Sequence, residues 1–194
     1  MIGTVPMRAL APLDYRYALD AARTLFEPQA APLIRCNVPE LADEAAQRFP
    51  RQPNTEIADG AVWIEPLATT WAAELTSVAL QLPVGAILAV IVSQPLARIV
   101  PERRMWSAQS LGMRLVGRYK LWWALRQAGF TLDATYGFHS VASIVLGQLS
   151  LQAVRWDRPD LGDRLHFLAR LRYCVRGPTT ALATVALLVA RKKS

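Results

Sequence analysis

Between Trp71 and Gln94 the chain changes its hydrophobic period. Leu75, Val78, Ala79 and Leu82 recur at helical spacing; Ala86 to Val92 then runs apolar and partly β-branched. The first pattern predicts a helix over 69–82 and the second a buried parallel strand over 86–93, with Pro83 and Gly85 as the turn between them. The rest of the chain alternates in the same way. A weak helix is expected from Leu13 to Phe26, with Tyr17, Ala21 and Leu25 on one face, ended by Pro28 and Pro32. A short strand follows over 32–38, then a helix over 39–49 with Pro39 in its first turn and acidic residues near its positive N-terminus. Ala61 to Ile64 reads as a strand. A long helix is expected over 105–128, with Leu111, Leu115, Tyr119, Trp122 and Leu125 on one stripe and Gly129 as its cap. Phe130 to Tyr136 reads as a strand, 139–153 as a helix, Trp156 to Asp160 as a turn, Leu161 to Leu171 as a basic helix and Thr179 to Ala190 as a closing strand.

Strands that alternate with helices imply βα units, hence an α/β three-layer sandwich around a mostly parallel sheet. A strand pair ending the chain would give that sheet an antiparallel edge. No repeat, low-complexity tract or interdomain linker divides the 194 residues, so one domain is expected over 1–194.

Composition narrows the partners. Hydrophobic residues make up 53% of the chain and charged residues 19%, which argues against disorder. The net charge of +7 favours an acidic protein partner or an anionic membrane surface, with nucleic acid the weaker option, since no recognisable RNA- or DNA-binding motif accompanies it. Cys36 and Cys174 lie far apart and have no metal-ligand spacing, so two reduced thiols of a cytoplasmic protein are expected, and no metal. The N-terminus does not read as a signal peptide. The uncharged run from Leu75 to Ala97 has the length of a membrane span, but helix, Pro-x-Gly turn and core strand account for it. A second uncharged run, Ala134 to Val154, is too polar for a comfortable span.

Four short segments occur in a telling order. Ala58-Asp59-Gly60-Ala61-Val62 precedes a strand, Leu82-Pro83-Val84-Gly85 makes the next turn, Ala128-Gly129-Phe130 closes a later helix, and Ala190-Arg191-Lys192 ends the last strand. In that order they resemble the rear half of a class I S-adenosylmethionine-dependent methyltransferase. The resemblance covers residues 58–194 and leaves 1–57 as a divergent front part. It implies a Rossmann-like methyltransferase fold, truncated or degenerate on its N-terminal side. It also implies S-adenosylmethionine as cofactor if the protein is active.

The front part departs from the family. There the first strand leads into an acidic-x-Gly-x-Gly loop, because only a backbone without Cβ lets the cofactor approach closely. Here Leu33 to Val38 runs into Pro39-Glu40-Leu41, and Gly3 is the only glycine before Asp59. The expected reading is a degenerate methyltransferase-like pseudoenzyme with no cofactor, acting as an accessory or scaffold protein. The alternatives are an active methyltransferase with an atypical or partner-completed site, and a membrane-associated subunit. Asn37 and Asp59 are the cofactor-binding candidates. Glu65, at a strand's C-terminal end, and His139, at another, are the catalytic candidates. Each competes with a simpler role as a turn, cap or helix-start residue.

The most distinctive surface is basic and tryptophan-rich. Arg103, Arg104, Trp106, Arg114, Arg118, Lys120 and Trp123 form a candidate contact for a partner or for a membrane to which the protein is peripheral. The competing role is an amphipathic helix that packs Trp122 on the sheet and solvates its arginines.

Overall fold

The computed structural model describes residues 13–27, 30, 32–49, 58–67, 69–99 and 118–193. Along them run α1 (Leu13–Arg23), β1 (Leu33–Cys36), α2 (Pro39–Arg48), β2 (Gly60–Ile64), α3 (Trp71–Gln81) and β3 (Ile87–Ser93). After a 3-10 turn at Pro95–Ile99 come α4 (Arg118–Gln127), β4 (Phe130–Ser140), α5 (Val141–Arg155) and α6 (Pro159–Leu171). The chain closes with β5 (Cys174–Arg176), a 3-10 turn at Gly177–Leu182 and β6 (Ala183–Lys192).

The six strands form one sheet in the order β1-β2-β3-β6-β4-β5. β1, β2 and β3 pair in parallel, and β6 is antiparallel to both β3 and β4. β4 therefore points the same way as the first three strands, so four of the six run in one direction. The closing strand is antiparallel, as expected from sequence, but it does not form the edge. It lies inside the sheet between β3 and β4, which explains why Ala183 to Ala190 are all buried. The edge on that side is β5, three residues that pair with β4.

Alternation along the strands builds two cores. Val62 and Ile64 join Ala89, Ile91 and Leu187 against α1 and α2. Ala61 and Trp63 join Leu88, Val90 and Leu188 against α3 and α4. Each fully buried aliphatic side chain of this kind stabilises the fold by about 1.5–3 kcal/mol. The helix–turn–strand reading of 69–93 holds, and no described helix is long and apolar enough to cross a membrane.

Two helical faces differ from expectation. In α1 the buried face is Tyr15, Ala18, Leu19 and Ala22, and Tyr17 is exposed. Ala18 and Ala22 let the helix approach the sheet closely, which the stripe through Tyr17 would not. In α4 the buried residues are Leu121, Ala124 and Leu125, while Tyr119 is exposed under the Arg118 guanidinium, 4.7 Å from its ring. The expected stripe through Leu111 and Leu115 lies outside the described residues. Cys36 and Cys174 sit on opposite edges of the sheet. At about 4.8 Å per strand they are more than 20 Å apart, too far for a disulfide.

Candidate functional site

In an open α/β sheet the ligand crevice lies at the carboxyl ends of the parallel strands. Here those ends carry Asn37 after β1, Glu65 after β2, Ser93 and Gln94 at β3, and His139 at the end of β4. Glu65 and His139 both have left-handed backbones, with φ of 52° and 55°. Such a conformation is uncommon for residues other than glycine.

Glu65 is buried, and its surroundings hold its carboxylate in place. The Tyr15 hydroxyl donates to Oε1, Ser93 Oγ donates to the same oxygen at 2.7 Å, and the two hydroxyls are 2.6 Å apart. The Glu65 backbone N–H donates to the Ile91 carbonyl at 2.8 Å, extending the β2–β3 ladder one residue past the strand. Tyr15, itself 1% exposed, lies across these strand ends. One residue earlier in α1, Asp14 is also buried; the Thr184 hydroxyl donates to its Oδ2 at 2.5 Å. Ion pairs from Arg48 to Asp20 at 2.6 Å and from Arg16 to Glu44 at 3.5 Å tie α1 to α2. Helix α1 therefore closes the crevice above Glu65 with aromatic and hydrogen-bonded side chains.

Asn37 is engaged elsewhere. Its side-chain amide donates to Glu74 Oε2 at 3.0 Å, and the Trp63 indole N–H donates to the same oxygen at 2.8 Å. Thr70 donates to the other oxygen. Burial acts to raise the Glu74 pKa, but the hydrogen bonds from Thr70, Asn37 and Trp63 and the charge of Arg35 outweigh it and hold the group below its ordinary value. Glu74 thus organises a polar cluster linking β1, β2 and α3.

The structure does not bring the four candidates together. Asp59 precedes β2 and is exposed at the opposite end of the strand from Glu65, about 20 Å away at 3.3 Å per residue. His139 is separated from β2 by β3 and β6, about 14 Å by strand spacing, so it forms no acid–base pair with Glu65. Its ring stacks on Tyr173 at 5.3 Å, and Tyr173 also meets Tyr17 at 5.0 Å.

The β1–α2 connection does not fit S-adenosylmethionine. Val38 is the N-cap of α2, buried, and makes no side-chain cap. Pro39 follows at the first turn and has no N–H to offer. The Asn37 N–H already donates to Ile64 and the Leu41 N–H to Val38. A glycine loop would present free donors and an open approach here; this connection presents a buried isopropyl group and a proline.

Of the basic, tryptophan-rich surface, Arg118, Lys120 and Trp123 are described, and Arg103, Arg104, Trp106 and Arg114 are not. Arg118 donates to Thr180 Oγ1, Lys120 lies 5.2 Å from the Trp71 ring and Trp123 is exposed. Beside Arg118 is a cavity of about 180 Å³ lined by Trp122, Leu132, Thr135, Thr180 and Leu188. It lies across the sheet from Glu65 and is smaller than the roughly 300–1,000 Å³ of typical ligand pockets. Among the described residues no three His, Cys, Asp or Glu side chains cluster as a metal site would require.

Sequence reasoning missed Tyr15, Ser93, Asp14 and Glu74. The one available signal was Trp63, because an indole N–H in a buried strand needs an acceptor.

No family model and no curated protein sequence matches the chain. Solved structures do resemble it. A SAM-dependent methyltransferase from Thermotoga maritima, described as a possible histamine N-methyltransferase, superposes with TM-score 0.50 at 13% identity, over 93% of this chain and 90% of that one. A proposed sarcosine dimethylglycine methyltransferase from Galdieria sulphuraria gives 0.46 at 8% identity, over 92% and 83%. A chain from the complex between the Haloferax volcanii Trm112 methyltransferase activator and its proposed methyltransferase gives 0.47 at 13%, over 93% and 79%.

Proposed function

We propose that this chain, which has a class I methyltransferase-like fold, does not hold S-adenosylmethionine in the usual way and acts as an accessory or scaffold protein. The observation that carries this reading is the β1–α2 connection, where buried Val38 and Pro39 stand in place of a glycine loop. The closed crevice above Glu65 supports it. A scaffold needs the sheet and both helical layers, and those are complete across β2, β3 and β6.

Thermal unfolding with and without the cofactor tests the reading. A ligand present at a hundred times its Kd adds about 2.7 kcal/mol of stability. The melting temperature should not move in millimolar S-adenosylmethionine; a dose-dependent rise of several degrees would contradict the proposal.

One observation favours a second reading, an active methyltransferase with an atypical or partner-completed site. Glu65 combines a left-handed backbone with a position at the ligand-facing strand end, where strain often accompanies function. That reading expects methyl transfer, in the presence of the completing partner, to be abolished by Glu65→Gln. Activity unchanged in that variant would remove Glu65 from it.

A further inference from the structure

Helices α5 and α6 form an antiparallel hairpin inserted between β4 and β5. Its base is fixed where Ser140 Oγ donates to the Arg172 carbonyl at 2.5 Å and caps α5 by accepting from the Ser143 N–H. Small residues make the contact between the two helices. Ser150 Oγ donates to the Gly162 carbonyl at 2.7 Å, and a Cβ on Gly162 would come within 2.8 Å of Val154. The buried residues are Ser143, Ser150 and Ala153 in α5 and Gly162 and Ala169 in α6. The large apolar side chains are left outside. Phe167, Leu168 and Leu171 of α6 are 61%, 44% and 61% exposed, and Val145, Leu149 and Leu151 of α5 are exposed as well.

The charges of α6 balance. They are Asp160, Asp163, Arg164 and Arg170, and among the described residues none of the four forms an ion pair. Their places follow from the helical period of about 100° per residue. Asp160, Arg164, Phe167 and Leu171 fall within about 60° of one another, directly opposite Gly162 and Ala169. Their spacing is that of a coiled-coil seam. Asp163 and Arg170, two helical turns apart, share one flank of this seam. Leu161 and Leu168, also two turns apart, share the other. In each charged pair the acidic member comes first along the chain.

We propose that this face of α6 docks on the same face of a second copy of the chain, with the two helices antiparallel about a twofold axis. In such a pair each flank of the seam meets its own counterpart. Asp163 therefore meets the second copy's Arg170, and Arg170 meets the second copy's Asp163. With the axis between Leu165 and His166, these partners are offset by about 3 Å along the helix, within reach of an arginine side chain. The same axis sets Arg164 level with the second copy's Phe167, where its guanidinium can lie on the ring. Parallel pairing would instead set the charged flank against Leu161 and Leu168, so charge selects the antiparallel arrangement. A lipid surface offers no such match, because the face is neutral and its aspartates would meet the phosphates. Thirteen helical residues give about 20 Å of contact. With the exposed side chains of α5 they approach the roughly 800 Å² that a standard interface takes from each partner. Phe167 and the leucines form the apolar core of that interface, and Asp163 and Arg170 its polar rim. The proposal is independent of whether the crevice binds a cofactor.

Sedimentation of the full chain across the micromolar range tests it. The chain should sediment as a dimer that dissociates on dilution. Asp163→Arg alone, or Arg170→Asp alone, should weaken the dimer about tenfold, because the twofold axis counts each like-charge contact twice. Mixing those two variants in equal amounts should restore the wild-type affinity, since each supplies the charge that the other lacks. Phe167→Ser with Leu171→Ser should weaken dimerisation by at least about a hundredfold. All four positions are exposed, so every variant should keep the wild-type far-UV circular dichroism. A chain that stays monomeric throughout, wild-type dimerisation of both charge variants, or a mixture no tighter than its components would overturn the proposal. So would a monomer that floats with vesicles containing phosphatidylglycerol, which would assign the face to lipid.

Discussion

The two parallel βα units of this sheet end differently. β2 is buried along its whole length, and Glu65, the residue after it, is gripped by side chains from α1 and β3. β1 is half-buried throughout, and Asn37, the residue after it, turns to Glu74 on α3. The inner strands hold the fold together. The edge strand, where the family's cofactor loop would follow, is joined to its helix by a buried valine and a proline. The comparison teaches that a methyltransferase-like sheet can be packed through its inner strands while its first βα connection carries a buried valine and a proline in place of glycines.

The sharpest way to break this comparison is to truncate one side chain in each strand. Trp63→Ala should cost about 3–5 kcal/mol in urea unfolding, because it empties a buried site and leaves Glu74 short of a donor. Ile34→Ala, in half-buried β1, should cost less than about 2 kcal/mol. The reverse order would refute the division between core and edge.

Glycines test the same division with opposite signs. A Cβ on Gly60 would lie 2.5 Å from the Phe26 ring and 2.6 Å from the Ile87 carbonyl oxygen. Gly60→Ala should therefore destabilise by about 1–3 kcal/mol. Gly147, within α5, has nothing within 4 Å of that position, so Gly147→Ala should stabilise by up to about 1 kcal/mol. Paired denaturation curves decide both signs.

Tyr15→Phe sharpens the account of the closed crevice. It removes one of the two hydroxyls on Glu65 Oε1 and should cost about 1–3 kcal/mol without opening the fold. A variant as stable as the wild type would show that the hydroxyl does not hold Glu65.

The smallest effect is in pH. The folded Glu74 pKa lies below its ordinary value of 4.5. Its stabilising contribution is therefore complete above the unfolded pKa and is lost as pH falls through the lower, folded one. Wild type should be more stable than Glu74→Gln at neutral pH, and the gap should close on acidification below 4.5. A gap that does not change with pH would mean Glu74 is not held ionised by its partners.

Much of the fold was legible in the sequence where one pattern had one interpretation. The run from Trp71 to Ser93 gave helix, turn and strand because Pro83 and Gly85 separate two clean periods. Competing stripes were harder: α1 offers faces through Tyr15 and through Tyr17, and only close packing on the sheet selects the first. β5 could not be read, since three residues, two of them exposed, carry no period. The final strand was expected from Thr179, but Pro178 opens a 3-10 turn and the strand begins at Ala183. The site was less legible still. Glu74 gathers partners 4, 11 and 37 residues away, and Tyr15 reaches Glu65 across 50 positions, contacts that only the tertiary fold creates. The missing glycine loop, by contrast, is a local property, and it was visible from the start.

Calorimetric titration of S-adenosylmethionine into the chain tests the central claim most directly. The account predicts no saturable heat, because Val38 and Pro39 occupy the approach that the cofactor needs. A saturable isotherm at micromolar affinity with one site per chain would contradict it.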